Sequence, residues 1–98
     1  MNIGEALRLL RVFHDLKQTE LSEKIGLSKS YISEIEGGTR VPSLETIDIY
    51  ARGFQMPVSS IIFFAENLME AKQGKNTTKK VAVVSSKVVK LLQFLEDV

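Results

Sequence analysis

Lys29, Ser30, Ser33 and Glu34 are the residues most able to do chemistry in this chain. Side chains three and four apart share a helix face, so in a helix they form one polar strip turned away from Ile32 and Ile35. An ammonium, two hydroxyls and a carboxylate in fixed order present donors and acceptors suited to reading hydrogen-bonding edges, such as those of base pairs. A solvated helix face has the same composition, so the strip gains meaning only from its setting. Bond-breaking chemistry is not provided for. The chain has no cysteine and a single histidine, His14, and it shows no nucleophile–base pair, phosphate-cradling glycine loop or metal cluster. The expectation is a binding protein, not an enzyme, needing no cofactor or metal.

The setting is the segment Gln18–Glu36. Leu21 and Ile25 are the inward residues of a short helix starting near Gln18. Gly26 ends it, because a sharp reversal favours a left-handed residue. Ser28 caps the next helix, whose inward residues are Ile32 and Ile35, and Gly37-Gly38 closes it. Two short helices that cross steeply need a small residue where they touch, and Ser22 supplies one. This is a helix-turn-helix pattern, with the strip on its second helix.

The remaining elements are helical too, which predicts an all-α fold. Asn2 caps a first helix, with Glu5 in capping-box position and Ile3, Leu7 and Leu10 on one face. Pro42-Ser43 opens a fourth helix carrying Leu44, Ile47, Tyr50 and Ala51; Pro57 suits the first turn of a fifth. In that fifth helix Val58, Ile61, Ile62, Ala65 and Leu68 form a stripe, and Phe63 and Phe64 fall outside it. Two further phenylalanines on a second face suggest a partner surface. Receiving a C-terminal helix, or covering the core from the side, are the alternatives. Residues 72–80 are polar and basic and read as a linker. Beyond it Val81, Val84, Val88, Leu91, Leu95 and Val98 recur at heptad spacing, predicting a last helix. The expected organisation is a helix-turn-helix and dimerisation domain over 1–71, the linker 72–80, and a helix over 81–98 that extends the dimer interface. Ile62, Phe63, Phe64, Leu68, Val84, Val88, Leu91 and Leu95 are the expected interface residues.

Charge does not announce the partner. The 98 residues hold 13 Lys and Arg against 12 Asp and Glu, a net +1. Bulk basicity, the usual footprint of a nucleic-acid binder, is missing, so such a function must rest on local placement. No run of about 18 apolar residues offers a membrane span. The first residues lack the pattern of a signal peptide, and a cytoplasmic protein is expected.

At Arg11, Gln18, Gly26, Ser28, Ser33, Glu36 and Pro42-Ser43-Leu44, the chain resembles the phage-repressor/Cro (XRE-type) DNA-binding domain over roughly residues 3–65. The stretch Ser30–Glu36 is also similar to controller proteins of restriction–modification systems. The resemblance implies a transcriptional regulator that binds double-stranded DNA as a homodimer on an inverted repeat. RNA polymerase is a further partner only for an activator. It implies that Gln18 holds a phosphate at a helix N-terminus, and that Arg11 pairs with Glu36 to tie the first helix to the recognition helix. The expected DNA-contacting set is Gln18, Ser28, Lys29, Ser30, Tyr31, Ser33, Glu34, Thr39 and Arg40. Arg40, in a glycine-containing loop, reaches backbone or groove. The Tyr31 ring either packs on the helix pair or sends its hydroxyl to a phosphate. Glu34 either accepts from a cytosine amino group or faces away.

Two departures from the pattern stand out. Lys17 occupies a position usually held by a capping Ser or Thr, at a cost of about 1 kcal/mol unless Asp15 compensates. Gly53 lies inside the fourth helix, at a similar cost of about 1 kcal/mol. His14 is expected at a surface or helix end. A helix-turn-helix used for protein partnership, as in an antitoxin or adaptor, is the rival function.

Overall fold

In the computed structural model the described residues are 1–68 and Phe94. They form five helices: α1 (Ile3–Phe13), α2 (Gln18–Ile25), α3 (Lys29–Gly37), α4 (Leu44–Phe54) and α5 (Val58–Glu66). The caps explain the boundaries. Asn2, Ser28 and Ser43 accept from the backbone N–H three residues on, satisfying donors that a helix start leaves open. Gly26 and Gly38 end α2 and α3 at φ 78° and 85°, the left-handed conformation that glycine adopts at little cost. At Lys17 the compensation comes from Glu20, whose carboxylate accepts from the Lys17 N–H at 2.8 Å. Asp15 does not supply it; that residue turns the chain at φ 58°.

The helices bury one shared core. α1 packs on α3 and α5, α2 on α3 and α4, and α4 on α5. Leu7, Leu10, Leu21, Ile32, Ile35, Tyr50, Phe54, Ile61 and Phe64 are its largest fully enclosed side chains, each contributing about 1.5–3 kcal/mol by leaving water. Close approach sets two glycines. A Cβ on Gly53 would fall on the Ile25 side chain, so this glycine lets α2 and α4 touch. A Cβ on Gly4 would fall on the main-chain carbonyl oxygen of Ile35, where α1 meets α3.

The expectation for α5 needs correction. Phe64, assigned to a partner surface, is fully enclosed in the core, and Leu68 is buried with it. The inward face is Ser60, Ile61, Phe64 and Ala65, with Leu68 buried just past the end of the helix, while Ile62 and Phe63 are half-buried on its flank. His14 does cap the end of α1, but its ring is not on open surface. It stacks on Phe54 at 4.7 Å and meets Phe13 edge-on at 5.3 Å. The linker 72–80 and the expected seam residues Val84, Val88, Leu91 and Leu95 lie outside the described residues. Phe94, helical and absent from that seam, meets Phe13 of the same chain edge-on at 5.6 Å.

Candidate nucleic-acid interface

The candidate site is the outer face of α3 with the loop that follows it. Ile32 and Ile35 are wholly enclosed and pin α3 to the core, so the opposite side must face solvent. Lys29, Ser30, Ser33 and Glu34 line one shallow depression there. Lys29, Ser30 and Ser33 are exposed, and among the described residues no hydrogen bond or ion pair engages their side chains. Three donor-bearing groups are thus held in register by buried neighbours yet left uncommitted.

The other expected contacts are engaged within the chain. Ser28 is the α3 cap, accepting from Tyr31 N–H at 3.1 Å. The Tyr31 hydroxyl lies 3.1 Å from Thr46 Oγ1 in a hydrogen bond, so the ring packs on the protein and its hydroxyl has a partner on α4. Arg40 Nε donates to Glu34 Oε2 at 3.0 Å, and its guanidinium lies over the Tyr31 ring, 5.6 Å from the centroid. Thr39 is exposed, and its hydroxyl donates to the Glu34 carbonyl at 3.2 Å.

Behind this face sits a nearly dry ion pair. Arg11 Nε and Nη2 donate to the two Glu36 carboxylate oxygens at 2.8 and 2.9 Å, and Nη1 donates to the Leu16 carbonyl at 2.7 Å. The side chains are only 14% and 4% exposed. Gln18 Nε2 donates to Glu36 Oε1 at 3.1 Å. The pair therefore joins the end of α1, the start of α2 and the end of α3. Tyr50 lies near it; burial pushes its hydroxyl pKa well above the usual range, and the Glu36 charge acts the same way. That phenol stays neutral beside the carboxylate at physiological pH.

Sequence reasoning found the polar strip but missed two supporting features. One is Gly4, which carried no signal beyond its residue type. The other is the double role of Glu34, whose main-chain carbonyl also receives the N–H groups of Thr39 and Arg40 at 3.0 and 3.2 Å. Among the described residues, no group of His, Cys, Asp and Glu could hold a metal ion. No described helix is long and apolar enough to cross a membrane.

Two short helices meeting through a left-handed glycine, the second offering a free polar face, define a helix-turn-helix module. The helix-turn-helix family model matches residues 7–61, and the chain belongs to that family. It is similar to the immunity repressor protein of Bacillus phage phi105, 29% identical over 96 residues. Antitoxin PezA of Streptococcus pneumoniae is 30% identical over 93 residues, and transcriptional regulator ClgR of Mycobacterium tuberculosis 30% over 94. These alignments cover 98%, 95% and 89% of this chain, and 66%, 58% and 84% of the respective relatives. The chain thus spans less than two thirds of the first two. No solved structure matches it.

Proposed function

We propose that the chain is a sequence-specific DNA-binding transcriptional regulator, acting as a homodimer on an inverted-repeat operator with α3 in the major groove. The observation that carries this is the uncommitted Lys29, Ser30 and Ser33 strip on the rigidly anchored second helix of the motif. One module reads only a few base pairs, each good contact giving about 1–3 kcal/mol of discrimination. That is too little against the competing sites of a genome, and two-fold symmetry doubles it. Of the expected interface residues that are described, Ile62 and Phe63 on the flank of α5 remain available for the subunit contact, since Phe64 and Leu68 serve the core of their own subunit. The repressors among the relatives support repression by occupancy, which needs no contact with RNA polymerase. A restriction–modification role rests on the stretch Ser30–Glu36 alone. Partnership with a protein, as in an antitoxin, is the second reading, favoured by the alignment with PezA along 95% of the chain.

A gel-shift titration against the DNA upstream of the chain's own gene, repeated across salt concentrations, tests the reading. Saturable binding there, tighter than to random duplex, supports it; equal weak binding to both favours the protein-partner reading. Lys29→Ala should weaken specific binding and relax preference at one base position in each half-site, because its ammonium suits guanine O6 and N7. Unchanged affinity and preference would remove Lys29 from the interface. Arg40→Ala should weaken binding to every sequence and lower the salt slope by about one unit, as loss of one phosphate contact does. A changed base preference with no salt effect would contradict that role.

A further inference from the structure

Glu34 poses a problem for the proposed interface, because a carboxylate on a surface that meets phosphates is repelled. Its surroundings resolve the conflict. The Glu34 carbonyl accepts from Thr39 N–H, Thr39 Oγ1 and Arg40 N–H, and its carboxylate takes Arg40 Nε. Both halves of the residue thus fix the Gly38–Arg40 turn. On the other side the guanidinium lies over Tyr31, which Thr46 holds, and Thr46 Oγ1 in turn accepts from the Ser43 hydroxyl at 3.0 Å. Arginine has five N–H donors, one of them on Nε. Only Nε is used here, and among the described residues the four donors on the terminal nitrogens have no partner.

We propose that Glu34 is a positioning residue. It does not read a base; it holds Arg40 from behind, so that the two terminal nitrogens form a prearranged clamp for a DNA phosphate. The inference rests on the DNA-binding reading. The pair is half in solvent, at 57% and 43% exposed, so its direct contribution to stability is small. Its effect lies in restricting a long side chain before binding, which lowers the ordering cost at the interface. The same contact neutralises the carboxylate and removes its repulsion.

The test is Kd for wild type, Glu34→Gln, Arg40→Ala and the double variant, on the upstream duplex and on a random duplex of equal length. Glu34→Gln should weaken binding to both duplexes by about three- to tenfold, the effect of leaving one long side chain to be ordered on binding. This is expected although the change removes negative charge. In the Arg40→Ala background the same substitution should tighten binding, because the carboxylate there is bare. A mere loss of fold cannot produce that reversal of sign. Tightening by similar factors in both backgrounds overturns the proposal, as does an altered preference at one base pair in Glu34→Gln. Wild-type protein that binds neither duplex overturns the DNA-binding reading itself, a result separable from a failed reversal.

Discussion

Arg11→Ala is expected to cost about 3–5 kcal/mol of folding stability, the usual result of stranding one partner of a buried ion pair. Glu36 is 4% exposed and would keep only the Gln18 amide. The Leu16 carbonyl would lose its donor as well. A domain of this size has about 5–15 kcal/mol in total, so the variant should be partly unfolded near 40 °C and have lost DNA binding. Thermal denaturation checks this, with the midpoint falling by roughly 15 °C or more. Adding Glu36→Gln to Arg11→Ala should recover part of the loss by replacing a buried charge with an amide. Simple additivity of the two single losses would show that the residues do not act as a pair.

Gly4→Ala is expected to cost about 2 kcal/mol, within the range for inserting a methyl into a packed interior. Judged on helix propensity alone, the same change should gain about 1 kcal/mol. The obstacle is the Ile35 carbonyl oxygen, part of the backbone, which cannot rotate aside as a side chain would. Relief requires α1 to draw away from α3, at the helix that carries the polar strip. Urea or thermal unfolding decides between the two signs, and a midpoint at or above wild type would show that the helices separate freely. Gly37→Ala is the control. A Cβ there meets nothing within 4 Å, so it should leave the midpoint unchanged or raise it.

Most of the fold could be read from local chemistry. Asn2, Ser28, Ser43, Gly26 and Gly38 act where their types predict, because capping and left-handed turns depend on a few consecutive residues. α5 was misread for the opposite reason. The run Ile61–Ala65 is wholly apolar, so periodicity has no polar residue with which to set the phase of the helix. Ser59 is exposed and adjacent Ser60 is buried, a difference that only the surrounding helices determine. The roles of Gly4 and Gly53 were illegible because each depends on a residue distant in the sequence, Ile35 and Ile25. At the site the polar strip was visible, but the hold of Glu34 on Arg40 required the path of the loop. Whether Tyr31 packs or reaches outward was likewise decided by Thr46 on another helix.

The division of labour around α3 has an evolutionary consequence. Ile32 and Ile35 anchor the helix, Glu36 ties it to α1, and Glu34 organises the turn behind it, while Lys29, Ser30 and Ser33 contribute to none of these tasks. Substitutions at those three positions therefore fall in the class that shifts stability by no more than about 0.5 kcal/mol. Lineages can drift through new side chains there without passing through unfolded ancestors. Copies of one scaffold can then diverge in what the exposed strip recognises while the buried side of α3, and the fold it holds together, stay the same.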